Sequence, residues 1–391
     1  MKHRIVVLGA GYAGAHAAGR LARRLHPGDT SITLVNAEPD FVERVRLHQL
    51  AAGQELRHRP LAGVFAGTHV TVRPARVTAV DAERRTVSLA GGAEIGYDTL
   101  VYALGSTAAE HGVPGVAEHA YHLASRPAAL RLRERLRELP AGTPVLIVGG
   151  GLTAIEAAAE IAESRPDLDV AIAARDRVGG WLSDRARRHL MRVFGRLGVT
   201  VHEHTDIVRV GADSVVTGTG GQLRAAVTVW AAGFATHPIA AAAGLRVAPD
   251  GRIAVDATMR SVSHPDVYAV GDAGVAAGVN GRPLRMSCAS GIPMAWQAAD
   301  AIAARLTGRA VSPAPVPYFV QCISLGRRDG ILQLVTADDR ARPSAVTGRT
   351  AARLKELICA GAGWSVAHPT VLLPTRRRHV QVVPGPVRET V

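Results

Sequence analysis

Residues 4–25 read RIVVLGAGYAGAHAAGRLARRL, and residues 144–163 read PVLIVGGGLTAIEAAAEIAE. Each runs from a short apolar, β-branched stretch through a glycine cluster into an Ala-rich segment, which predicts strand, tight turn and helix in that order. In the first copy Ala17, Ala18, Leu21 and Leu25 fall on one helical stripe. Gly9-Ala10-Gly11-Tyr12-Ala13-Gly14 is therefore a complete GxGxxG in the context that gives it meaning. The first glycine permits the turn, the second lets backbone approach a diphosphate, and the third lets the helix pack close to the strand. A diphosphate set there meets free N–H groups and the positive end of the helix dipole. The second copy, Gly149-Gly150-Gly151-Leu152-Thr153-Ala154, has alanine in third place, which the packing role tolerates. Two such motifs predict two dinucleotides and an α/β fold with two Rossmann-like nucleotide-binding domains.

Outward from the first motif, residues 31–35 predict the next strand. A carboxylate usually holds the adenosine ribose at its end, and here Asn36 stands in that place with Glu38 two residues on. Alternation over 69–77 and 86–89 predicts an antiparallel meander, and 97–103 a buried strand ending before Gly105. In the second unit a helix is expected from about Pro127 to Leu139, a strand over 170–173 and a last strand over 227–232. The second strand ends Ala173-Ala174-Arg175 with no acid where the 2′-hydroxyl of NADH would be held, and Arg175 and Arg177 suit a 2′-phosphate, which favours NADPH over NADH. A solvated surface arginine is the other reading of Arg175. Residues 267–272 resume the α/β pattern before a helix from about Pro293 to Leu306, and the Pro-rich 312–317 links to a small C-terminal domain.

Composition narrows the partners. The net charge of +13 would suit a polyanion, but the only lysines are Lys2 and Lys355; the charge is nearly all arginine in a chain with 41 glycines. No basic stripe with interleaved aromatics accompanies it, so nucleic acid is not expected as a partner. Three cysteines without a CxxC fit a reducing compartment, and no apolar run reaches the ~20 residues a membrane span needs. No room for a signal peptide precedes the first strand, so a cytoplasmic protein is expected. No metal is expected.

The paired glycine motifs, Tyr102-Ala103-Leu104-Gly105-Ser106, Trp230-Ala231-Ala232-Gly233-Phe234 and Val267 to Ala273, in that order over roughly residues 4–330, resemble the two-dinucleotide-binding flavoprotein superfamily. Within it the likeness is greatest to type II NADH dehydrogenases. The resemblance implies an FAD domain (1–108 and 236–310) interrupted by an NAD(P)H domain (109–235), then a C-terminal piece (311–391) for dimer, acceptor or membrane contact. It places Gly9, Gly11, Tyr12, Ala13 and Gly14 around a non-covalent FAD, with Asp272 of the Gly271-Asp272 pair on a ribityl hydroxyl. It places Gly149, Gly151, Leu152 and Thr153 around the nicotinamide dinucleotide. Ala103 and Gly105, and Ala232 and Gly233, fall on two chain crossings beside the flavin. Glu156 matches a glutamate on the first turn of its helix near nicotinamide and flavin, or is merely a helix-start acid. The implied reaction is hydride transfer from NAD(P)H to FAD, then electron transfer to a quinone or other small-molecule acceptor, in a homodimer. The missing CxxC argues against the disulfide-reductase branch.

Departures from that pattern leave other readings open. Arg44, Arg46 and His48 make residues 41–49 polar where the dehydrogenases carry an apolar Thr-Pro segment. If they face the flavin they suit a polar or anionic acceptor; if they face solvent they say nothing of it. A C-terminal helix with Ala351, Leu354, Leu357 and Ile358 at helical spacing is expected to stop at Gly361 and Gly363, without the paired amphipathic anchors of a respiratory enzyme. Trp364, Leu372, Leu373 and Arg376-Arg377-Arg378 could touch an anionic bilayer, though such a basic segment is more often just solvated. Cys288 and Cys322 invite a sulfide-oxidising pair, against the commoner reading as small buried hydrophobes. A tailoring enzyme on a dedicated metabolite and a redox-responsive binding protein of the apoptosis-inducing-factor type are the remaining alternatives.

Overall fold

A computed structural model describes residues 1–369 and 376–381. The first apolar run forms the strand His3–Leu8 at the centre of a five-stranded parallel sheet. Thr30–Asn36 and Val70–Pro74 lie on one side of it, and Thr99–Tyr102 and Val267–Ala269 on the other. Layers of helix and meander cover both faces, which is why these strands read as near-continuous Val, Ile and Leu. Helix α1 (Tyr12–Arg24) leaves the glycine turn and packs into the core, and the short helix α2 (Leu47–Ala51) follows the second strand.

The second unit repeats the plan. Pro144–Val148 is its central strand, with Asp169–Ala173 and Thr200–His202 to one side and Val227–Trp230 and Ala120–Tyr121 to the other. Helix α3 (Leu152–Ser164) leaves its glycine turn. The chain passes between the units in an antiparallel ribbon, Ser106–Ala108 against Phe234–Thr236, and Trp230 Nε1 donates to the Ala109 carbonyl at 2.7 Å to fasten the ribbon's base. The fold is α/β with two Rossmann-like domains, as the sequence predicts.

Helix α4 (Cys288–Leu306) then packs along α1. A buried fork holds them together: Arg20 donates to both Asp300 oxygens at 2.7 and 2.8 Å, and Arg24 donates to the same carboxylate at 3.1 Å. The C-terminal piece is an antiparallel sheet of Val320–Ser324, Gly330–Val335 and Ala341–Thr347 backed by helix α5 (Arg349–Ser365). No described helix is long and apolar enough to cross a membrane.

Four expectations are corrected. Val70–Pro74 is the edge of the parallel sheet, and the meander is made by Val77–Asp81, Thr86–Leu89 and Glu94–Gly96. A short alternating run suits either partner, and the open edge beside Thr30–Asn36 decides. Helix α4 starts five residues before Pro293, because Ser287 caps it by accepting from the Ser290 N–H. Helix α5 continues through Gly361 and Gly363; a Cβ on Gly363 would lie 3.2 Å from Arg59 and 3.4 Å from Glu43, so close docking on the first unit overrides the low helix propensity. Its apolar residues also split: Ala351 is inside with Lys355 and Cys359, while Leu354, Leu357, Ile358 and Trp364 are exposed. Arg378 is laid along the end of α1, where the His26 N–H donates to its carbonyl at 2.8 Å; Leu372 and Leu373 lie outside the described residues.

The Arg20–Asp300 fork generates a test of this packing. Asp300→Ala strands a buried guanidinium and is expected to cost about 3 kcal/mol, read as a fall in the denaturant midpoint at unchanged slope.

Candidate functional site

The first glycine turn is built by close backbone contact. Gly9 has φ +91°, and a Cβ there would lie 2.3 Å from the Ala103 carbonyl oxygen. A Cβ on Gly14 would lie 1.8 Å from the Gly9 oxygen, so the third glycine is the price of strand and helix meeting. Gly11 is different: a Cβ there meets nothing within 4 Å, and the N-terminus of α1 opens into free space. Asn36 accepts from the Ala10 N–H at 2.8 Å and donates to the Glu38 carbonyl at 2.7 Å, so both ends of its amide brace the turn.

Around this turn the structure gathers most of the residues expected there. A Cβ on Gly271 would lie 2.9 Å from the Ala13 Cβ, and one on Gly291, in the first turn of α4, 3.6 Å from it. Tyr12 is buried edge-on to Phe41 at 5.0 Å. Ser106 donates to Asp272 at 2.7 Å, and Arg44 donates to the Ser106 carbonyl at 2.9 Å, 3.6 Å from Asp272 and over the Phe234 ring at 5.1 Å. Arg44 therefore ties Gly105-Ser106, Asp272 and the returning ribbon strand into one wall.

The second turn repeats the geometry. Gly149 (φ +134°) faces the Ala231 oxygen at 2.4 Å from its would-be Cβ, and Gly151 opens into free space. A cavity of about 630 Å³ lies over it, lined among others by Arg175, Arg177, Trp181 and Asp206. An adjoining cavity of about 200 Å³ is lined by Leu152, Thr153, Ala232 and Gly233. Arg175 is not a free cation, because its Nε is 3.0 Å from the Asp206 carboxylate, and Asp176 also lines the cavity. Strand-end spacing did not reveal Asp206, which comes from a later loop.

Glu156 sits in the second turn of α3, not the first, and is buried away from both cavities. Its Oε1 accepts from the Ser324 N–H at 2.9 Å and meets the Lys355 ammonium; its Oε2 is 3.7 Å from His48 Nδ1. Burial brings Lys355 down to about 8 and pushes His48 well below its usual range, Lys355, Arg327 and Arg46 adding to the latter. Arg46 does not face solvent or an acceptor; Glu43 at 3.0 Å and Glu356 at 2.7 Å hold it. Sequence reasoning missed Lys355, Ser324 and Glu160. One signal was present for the first, a lysine kept in a chain that otherwise uses arginine. A buried lysine can release its proton and an arginine cannot.

All three cysteines are free thiols, and burial pushes Cys288 up to about 11 and Cys322 up to about 12.

Two Rossmann-like units, each headed by a glycine turn that leaves its helix N-terminus open, define a two-domain α/β fold of the nucleotide-binding kind. The family described as pyridine nucleotide-disulphide oxidoreductase matches residues 3–303, and the chain belongs to it. An NADH dehydrogenase-like protein of Mycobacterium tuberculosis is 30% identical over 346 residues, covering 83% of this chain and 86% of the relative. A type II NADH:quinone oxidoreductase of Staphylococcus haemolyticus is 25% identical over 389 residues, covering 91% and 94%. In fold the chain is similar to the sulfide:quinone oxidoreductase of Aquifex aeolicus, with TM-score 0.81, 19% identity and coverage of 94% and 92%. It is also similar to NDH2 of Plasmodium falciparum, with TM-score 0.79, 14% identity and coverage of 94% and 96%.

The titration of Glu160 generates a prediction. Burial holds its carboxyl up at about 7, whereas an unfolded glutamate releases its proton near ~4.3. The folded state thus binds the extra proton between these values, and the associated stabilisation is complete below the lower one and lost as pH rises through the upper. Glu160→Gln removes that dependence, so thermal melts of wild type and variant are expected to diverge in the variant's favour from pH 5 to pH 8.

Proposed function

We propose that the protein is an FAD-dependent oxidoreductase that takes hydride from NADH or NADPH and passes electrons to a quinone. The observation that carries this reading is the pair of open second glycines, Gly11 and Gly151, each at the head of a helix. The residues present fit two dinucleotides, since backbone N–H groups at both turns are free for a diphosphate where any side chain would block it. Gly9, Gly11, Ala13 and Gly14 would hold FAD, with Asp272 and Ser106 toward its ribityl chain, in a domain of residues 1–108 and 236–310. Gly149, Gly151, Leu152 and Thr153 would hold the nicotinamide dinucleotide in a domain of residues 109–235. FAD supplies the hydride-accepting ring when bound; the chain supplies position, exclusion of water and protons.

Glu156 and Lys355 lie where the C-terminal piece meets α3. Lys355, brought down to about 8, is suited to give a proton to an acceptor oxygen and recover it. The polar-acceptor reading loses Arg46, which is already held by two carboxylates. A quinone is favoured as well by the exposed Leu354, Leu357, Ile358 and Trp364 of α5, an apolar surface beside the site. Relatives named NADH dehydrogenase-like and type II NADH:quinone oxidoreductase support the same class.

Anaerobic stopped-flow mixing with NADH and NADPH in parallel, followed by a short-chain quinone, tests the reading. Rapid flavin bleaching and rapid recovery are expected. Bleaching without recovery would favour the redox-responsive binding protein, and no bleaching would sink the reading. The Arg175–Asp206 pair adds a prediction: Asp206→Ala frees the guanidinium for a 2′-phosphate and removes a repelling charge. The ratio of kcat/KM for NADPH over NADH is expected to rise about tenfold, and an unchanged ratio would place the ribose elsewhere.

A further inference from the structure

Reducing a quinone with NAD(P)H consumes two electrons and two protons; the hydride brings both electrons and one proton, so one proton must come from water. Lys355 and Glu156 are both nearly fully buried, and the reading above does not say how that proton reaches them. His48 projects from α2 between two acids of α3, its Nδ1 3.7 Å from Glu156 Oε2 and its Nε2 3.9 Å from Glu160 Oε2. Glu160 in turn meets the side-chain amide of Gln54, which is only half-buried.

Two of these atoms stand out. His48 Nε2 and Glu160 Oε2 are both buried without a hydrogen-bond partner, and they face each other. Orphaned buried polar atoms are costly, and a fold that needed only packing here would place apolar groups. Their separation, like that of His48 Nδ1 from Glu156 Oε2, is about 1 Å beyond a hydrogen bond, a gap that side-chain motion has to close for a proton to pass. The charged groups around His48 are Glu156 and Glu160 from α3, Lys355 from α5, Arg327 from the turn after Val320–Ser324, and Arg46 from its own turn, while the helix Arg126–Glu138 packs on α2 through apolar residues.

We propose that His48 and Glu160 form a proton relay from the Gln54 surface to the Glu156–Lys355 pair. The inference rests on the oxidoreductase reading. Glu160 carboxylic acid gives its proton to His48 Nε2 and becomes carboxylate; the imidazolium gives its Nδ1 proton to Glu156; Glu156 passes it to the Lys355 amine left after Lys355 has protonated the acceptor. Glu160 regains a proton from water at the Gln54 end, and the imidazole, left with its proton on Nε2, turns over to restore the Nδ1–H form, so that every group returns to its starting state. His48 and Glu160 touch neither acceptor nor dinucleotide in this scheme, so they are positioning residues for the proton. Burial keeps Glu160 up at about 7, which leaves it partly protonated at neutral pH and suits it to the entry point.

The experiment compares NADH turnover of the holoenzyme with a short-chain quinone, which takes electrons and protons, and with ferricyanide, which takes electrons alone. His48→Gln keeps a polar side chain but carries no proton, and Glu160→Gln does the same at the entry. Either is expected to lower quinone turnover about 10²-fold, with the loss deepening as pH rises, and ferricyanide turnover far less. Should one variant fail to fold, the other still decides. A readout without turnover accompanies it: infrared titration of the protein is expected to show a carboxyl band lost near neutral pH, absent in Glu160→Gln and shifted in His48→Gln. Equal losses with both acceptors, or wild-type quinone turnover in both folded variants, would overturn the relay alone. A wild-type protein that reduces neither acceptor would overturn the oxidoreductase reading, and the relay with it.

Discussion

At Gly9 the Ala103 carbonyl occupies the place a side chain would need, and at Gly149 the Ala231 carbonyl does the same. This contact of backbone on backbone is the constraint from which the rest of the architecture follows. It fixes the turn, and the turn fixes where each helix begins, so that Gly11 and Gly151 leave their helix ends open. It also fixes the neighbouring strand end, and from Ala103 and Ala231 the chain runs within a few residues into the ribbon of Ser106–Ala108 and Phe234–Thr236. One steric relation, used twice, thereby sets the two nucleotide-binding ends and the passage between them.

The second constraint is electrostatic. Glu156, Glu160, His48 and Lys355 are buried together where α2, α3 and α5 meet. Burying charges costs several kcal/mol each unless they are paired, so such a cluster is a poor way to gain stability. It is a good way to hold groups whose protons move near neutral pH, as the upward displacement of Glu160 and the downward displacement of Lys355 show. The neighbouring Arg46–Glu43 and Arg327–Glu356 pairs keep their own charges satisfied and set the local field.

The strand-turn-helix units were legible because glycine sterics are local: three residues and a periodic helix state the whole geometry. The second sheet followed from repetition, and two chain crossings from the resemblance, whereas their pairing as an antiparallel ribbon was not foreseen. What the sequence concealed is non-local. Asp206 reaches Arg175 from a separate loop, and Lys355 reaches Glu156 from the C-terminal helix, across separations no spacing rule encodes. Glu156 was legible as a residue of interest, yet its turn and its partners were not. Gly361 and Gly363 misled because propensity marks a stop, whereas docking against Arg59 and Glu43 keeps the helix going.

We propose that one chain holds two different dinucleotides at two equivalent turns. The most direct measurement is binding stoichiometry: flavin released from the purified protein by denaturation, counted per chain, with anaerobic calorimetric titration of the flavin-loaded protein by NADH and NADPH. One non-covalent FAD per chain and one further nicotinamide dinucleotide per chain are expected, the second lost and the first retained on Gly151→Val. A chain that retains no flavin, or in which FAD and the nicotinamide dinucleotide displace one another from a single site, would contradict it.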